Sequence, residues 1–248
     1  MTPSIRAVIL AAALTAPLTA YPAPREFHVA VVGDSLAQGA GDESGQGIAG
    51  RLEPELRSRG VDSVVTVNFG ANGATTSDIA ARLRQPATRV ALARANAIVL
   101  SAGANDLRRS VTGEQPLRSP LVIVDQVLRN IAGIVAELHR INPEAHILIL
   151  GAYNPVPHQR AAAVLQPLIT IWDVALVVQF ADDPLVSIVR LSDIVDRPER
   201  LSTLDSFHPG GEAYQETARR IAELLGYGSS IGSAAPASPL LPEPARQP

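Results

Sequence analysis

The sequence predicts one α/β domain of three layers: a five-stranded parallel sheet, doubly wound, with helices on both faces. Three observations predict it. Short apolar, β-branched runs recur along the chain and end at glycine or a turn-forming residue. Longer stretches with helical spacing separate them. The strict alternation of the two implies crossover connections, and strands joined that way run parallel and are covered on both sides.

The folded unit is expected to span residues 27–227. Its first strand is 28–32, stopped by Gly33. The same pattern returns at 64–68, 97–101, 146–151 and 186–191. Helical spacing places Leu52 and Leu56 on one face of a helix over 48–59, with Gly60 as its C-terminal stop. A short helix over 77–83 carries Asp78 in its first turn. Residues 121–140 form the longest periodic stretch, striped by Val124, Val127, Leu128, Ile131, Ile134, Val135 and Leu138, and it ends before Asn142 and Pro143. A helix over 159–180 should be kinked or split by Pro167. The last helix covers 211–225.

Both flanks of this unit read differently. Arg6 precedes an apolar run, 7–20, that ends in small residues, which is the pattern of a secretory signal peptide over 1–23. Cleavage after Ala16, Ala20 or Ala23 would release a secreted or periplasmic protein without a stable membrane anchor, since the run is shorter than the ~20 residues a spanning helix needs. Residues 228–248 hold Pro236, Pro239, Pro242, Pro244 and Pro248 among Ser and Ala, and are expected to form a disordered tail. A net charge of -3 gives no electrostatic reason to expect nucleic acid as a partner. With no cysteine, thiol catalysis, disulfides and thiolate metal sites are excluded.

Four short motifs carry the chemistry. Gly33-Asp34-Ser35-Leu36 directly follows the first strand, where open α/β sheets present side chains to a ligand crevice. Taken alone it is also a common turn and helix cap. Asp205 and His208 stand three residues apart near the start of the last helix. A turn at that spacing brings the carboxylate to imidazole Nδ1 and leaves Nε2 to take a proton from a serine. The plainer reading is a capping aspartate beside a solvated loop histidine. Gly103-Ala104-Asn105-Asp106 follows the third strand, and residues 68–75, with Gly70 and Gly73, follow the second. Each is weak by itself; all four sit at strand C-terminal ends, in order.

On these residues the chain resembles the SGNH (GDSL-type) hydrolase family. Its blocks are a Ser in Gly-Asp-Ser, a Gly, an Asn in Gly-x-Asn-Asp and a His in Asp-x-x-His, and Ser35, Gly73, Asn105 and His208 match them, with Asp205. Asn68 and Thr75 set the register in favour of Gly73 over Gly70. The match spans about 29–225, and within it there is no Gly-x-Ser-x-Gly elbow. The resemblance implies the flavodoxin-like SGNH fold and a serine esterase that needs no metal or cofactor. Ser35 would be the nucleophile, His208 the base and Asp205 its orienting acid, with Asp193 and Asp196 as rival acids. The oxyanion would be held by the N–H groups of Ser35 and Gly73 and the Asn105 amide, with Asp34 and Asp106 in support.

The implied substrates are small-molecule esters, including acylated glycans, and the lack of a long apolar insertion favours short acyl groups. Residues 107–120, with Arg108, Arg109 and Arg118, read as a solvated loop, or else as a basic wall for an anionic substrate group. His28, His139, His146 and His158 are scattered and show no ligand spacing. Two other classes fit the same motifs: an acyltransferase using the same three residues, and a carbohydrate-binding protein that keeps the fold without the chemistry.

Overall fold

The computed structural model describes residues 26–111, 120–156 and 162–227. The expected leader, the expected tail, Arg118 and His158 lie outside the described residues. Five strands, β1 (Phe27–Gly33), β2 (Val64–Gly70), β3 (Ala97–Ser101), β4 (His146–Leu150) and β5 (Val186–Val189), form one sheet in the order β2-β1-β3-β4-β5. Every neighbouring pair is parallel. This is the doubly wound order whose strand sequence reverses between β1 and β3, the place where such sheets bind ligands.

Period-two alternation sorts the central strands onto two cores. Val29, Val31, Val99 and Leu148 face one layer, with α2 (Gly47–Ser58) and α8 (Gly211–Leu224). Ala30, Val32, Ile98, Leu100 and Ile147 face the other, with α3 (Thr76–Leu83), α6 (Pro120–Ile141) and α7 (Ala162–Gln179). α8 packs through Ala213, Tyr214, Thr217, Ala218, Ile221 and Ala222, a stripe at helical spacing. At the end of the described body, the Tyr227 ring meets the Phe27 ring edge-on, 5.8 Å between centres.

Several elements depart from the sequence expectation. α1 (Ser35–Gln38), α4 (Pro86–Leu92) and α5 (Ala104–Val111) were not expected. The first has only four residues, and the second, opened by Pro86, has no acidic residue in its first turn to announce it. α5 replaces the first part of the solvated loop expected over 107–120: Asp106 in its first turn and Arg108 and Arg109 in its last suit the helix dipole. Positions 112–119 lie outside the described residues. Pro167 does not split α7, because it sits six residues into the helix and removes a single bond near its N-terminus. Phe69 and Gly70 extend β2 beyond the expected 64–68 instead of belonging to the loop after it. β5 stops at Val189 instead of running to 191.

Candidate active site

The segment around Ser35 is built by glycine and one buried carboxylate. Gly33 has φ 147, and a Cβ there would stand 2.1 Å from the Ser101 carbonyl oxygen, so β1 can leave the sheet beside β3 only without a side chain. Asp34 follows and is 2% exposed. Its Oδ1 accepts the Leu36 N–H at 3.1 Å, which caps α1, and the Ser101 hydroxyl at 2.6 Å, which ties the exits of β1 and β3 together. Burial pushes the Asp34 carboxyl up, opposed by those hydrogen bonds. Ser35 opens α1, and Gly39 closes it with a left-handed φ of 93.

The opposing loop begins after the 3-10 turn Pro198–Arg200. Asp205 Oδ1 accepts the N–H groups of Phe207 and His208, both at 2.9 Å, and folds the chain into a tight turn. Ser206, inside that turn, has φ 54. The turn presents Asp205 Oδ2 to His208 Nδ1 at 2.6 Å, and His208 Nε2 lies 2.9 Å from Ser35 Oγ. Burial opposes ionisation of Asp205, but the hydrogen bonds from His208 and Phe207 outweigh it and hold the carboxyl below its ordinary range. The Tyr153 hydroxyl, just beyond β4, donates to the Phe207 carbonyl at 3.1 Å. The rival acids are engaged elsewhere: Asp193 with Arg220 at 2.7 Å and Asp196 with Arg197 at 3.6 Å.

Gly73 and Asn105 lie just after the C-terminal ends of β2 and β3, the strands on either side of β1. Gly73 has φ 75, no atom lies within 4 Å of where its Cβ would be, and its carbonyl accepts from the Arg109 guanidinium at 3.4 Å. Among the described residues, neither the Ser35 nor the Gly73 N–H donates to a protein acceptor. The Asn105 amide donates to the Ala74 carbonyl at 3.0 Å, which fixes the peptide after Gly73. Asp106 accepts the Thr76 N–H at 2.9 Å and its hydroxyl at 2.6 Å, joining α5 to the start of α3. Gly70 serves packing instead. A Cβ there would stand 2.2 Å from the Gln38 nitrogen, so its absence lets β2 approach α1.

Sequence reasoning missed three residues around the site. Asp42 and Glu43 fix the segment after α1, and Tyr153 holds the histidine loop. The partners of Glu43 and Tyr153 lie far off in sequence, those of Asp42 within nine residues, and no motif marks any of the three. The remaining described histidines sit away from Ser35. His146 Nε2 lies 2.9 Å from Ser187 Oγ, but at the other end of the sheet, and His139 pairs with Asp183 at 2.8 Å. Two cavities in the described body, of about 630 and 460 Å³, are lined by neither Ser35 nor His208. Among the described residues no cluster of three or more His, Asp or Glu could hold a metal ion. Nor is any described helix long and apolar enough to cross a membrane.

Fold and geometry define a class first: three-layer α/β proteins in which an acid-paired histidine contacts a serine hydroxyl at the sheet's reversal point. The chain belongs to the GDSL-like Lipase/Acylhydrolase family, whose model matches residues 31–216, and so to the ester hydrolases at that general level. A curated relative is YpmR of Bacillus subtilis, an uncharacterised protein, 24% identical over 79% of this chain and 80% of its own. Among solved structures, the lipase Lip_vut3 from a goat rumen metagenome superposes with a TM-score of 0.69 at 21% identity, covering 82% of this chain and 98% of that one. A catalytic variant of Axe2, an acetylxylan esterase of Geobacillus stearothermophilus, gives 0.61 at 16% identity, over 82% and 94%. At these identities the likeness concerns the fold.

Proposed function

We propose that the chain is an exported serine esterase that hydrolyses short-chain carboxylic esters, acetylated glycans among them, through an acyl-enzyme. The observation that carries this reading is the unbroken contact series from Asp205 through His208 to Ser35, at 2.6 and 2.9 Å. With Nδ1–H held by Asp205, Nε2 is the acceptor, so His208 takes the Ser35 proton as Oγ bonds to the ester carbonyl carbon. The negative charge that forms on the carbonyl oxygen falls where the unengaged N–H groups of Ser35 and Gly73, and the Asn105 amide, can donate. His208 then gives its proton to the departing alcohol oxygen. Water, deprotonated by the same nitrogen, attacks the acyl-enzyme and releases the acid. The apolar run over 7–20 supports export, and the lack of a long apolar insertion between the motifs supports short acyl groups.

The test uses p-nitrophenyl esters from acetate to palmitate and a fluorophosphonate probe on protein recovered from the host's exterior. Wild type is expected to favour acetate to butyrate and to take up one probe per chain. Ser35→Ala should lose both labelling and about 10⁴–10⁶ in kcat. Labelling that persists in that variant removes the nucleophile, a palmitate optimum removes the short-chain reading, and protein confined to the cytosol removes export.

A further inference from the structure

We propose that Glu43 is a positioning residue that clasps the Asp205–His208 loop at both ends and so sets the imidazole over Ser35, an inference that rests on the serine esterase reading. One Glu43 carboxylate oxygen accepts the Thr203 N–H at 2.9 Å and the Thr203 hydroxyl at 3.1 Å. The other accepts the Gly211 N–H at 2.9 Å. Asp205 and His208 lie between those two anchor points.

The bracketed loop is held together as one body by its own hydrogen bonds. Ser202 N–H donates to the His208 carbonyl at 2.7 Å, Ser206 N–H to the Ser202 carbonyl at 2.9 Å, and Leu204 N–H to Ser202 Oγ at 3.0 Å. Where such a body sits depends on how it is fastened to the nucleophile's side of the crevice. Glu43 supplies that fastening from the segment that follows Ser35. Its own base is rigid: buried Asp42 accepts from Arg51 at 2.8 and 2.9 Å, from Ser44 and from the Gly47 N–H. Gly41 allows the segment to lie against the loop, since a Cβ there would come within 2.6 Å of His208 Cβ.

Two further facts favour a role specific to the loop. The residue capping α8, Gly210, has no side chain, and Glu43 bonds the first helical N–H in its place. The Thr203 and Gly211 N–H groups hold the Glu43 carboxyl down to about 2, so it stays charged wherever the imidazole can act as a base. Glu43 is itself exposed, so its removal opens no cavity in the core.

The experiment compares full-length wild type, Glu43→Ala, Glu43→Gln and Thr203→Val. Steady-state rates on p-nitrophenyl acetate and thermal melts are read beside the downfield NMR resonance of the His208 Nδ1 proton. Glu43→Ala is expected to lose roughly 10- to 100-fold in kcat with KM changed less than about twofold, because a small misplacement of a catalytic group costs rate rather than binding. Its imidazole resonance should broaden or vanish, while Tm falls by only a few degrees. Glu43→Gln keeps one acceptor and should fall between, and Thr203→Val, which removes the hydroxyl contact alone, should move the same way by less. Wild-type kcat and an intact resonance in Glu43→Ala overturn the proposal; so does a rate loss that matches the fraction unfolded. If Glu43→Ala does not fold, Glu43→Gln and Thr203→Val decide by the same readings. Should the wild type take up no fluorophosphonate, the nucleophile reading fails, yet the resonance in the Glu43 variants still supports or overturns the clasp.

Discussion

Ser206 shows what the turn at the site costs a single residue. Its φ of 54 lies in the left-handed region, where a side chain is disfavoured by roughly 1 kcal/mol. The turn is worth that strain because it delivers both oxygens of Asp205, one to backbone N–H groups and one to the imidazole. Ser206→Gly should relieve it, raising Tm by a few degrees with the ester hydrolysis rate unchanged. Ser206→Val should lower Tm instead. Melts of both variants check the pair, and a Gly variant less stable than wild type would show that the serine side chain contributes more than its backbone strain removes.

At the scale of elements, glycines decide how closely strands and helices meet. Gly70 keeps an ordinary backbone, yet its missing Cβ is what lets β2 approach α1. Gly70→Ala would press a methyl group onto backbone atoms that cannot rotate away, with an expected loss of about 3 kcal/mol. Gly133, on α6, has nothing within 4 Å of its would-be Cβ, so Gly133→Ala should be neutral or stabilising by up to about 1 kcal/mol. Urea denaturation of the two variants separates packing from propensity. The same elements show what sequence can and cannot announce. The five strand cores were legible because burial on both faces makes them continuous apolar runs, as in Ala97–Ser101. α6 was legible because twenty-two residues repeat one stripe. α1 was not, since four residues cannot display a period, and α4 was not, since it lacks the acidic first turn that Asp78 gives α3. Asp205 and His208 were legible because their contact is local. The fastenings by Glu43 and Tyr153 were not, because each joins residues from distant segments through backbone atoms that any sequence carries.

For the whole molecule, Asp42 and Arg51 link two neighbouring segments beneath α8, and their charge gives the fold a pH dependence. Burial opposes the Asp42 charge, but Arg51, Ser44 and the backbone of Gly47 hold its carboxyl far below its ordinary value of 3.8. A carboxyl lowered on folding stabilises at any pH above its unfolded value, and that contribution fades as pH drops from there toward the folded one. Asp42→Asn should therefore cost roughly 3 kcal/mol at neutral pH, and its stability should fall less steeply than that of wild type below about pH 4. Equilibrium unfolding at several pH values tests this, and parallel curves for the two proteins would refute it. The Phe27–Tyr227 contact bears on the molecule in another way. β1 carries the chain some 20 Å from Phe27 toward the serine, so Phe27 and Tyr227 meet at the pole opposite Ser35. A short peptide bridge between those two residues would turn the body into a closed ring, free to be reopened at an exposed turn such as Gly45. For the same reason, a bead gripping the described body beside Phe27 or Tyr227 would leave Ser35 and His208 pointing outward.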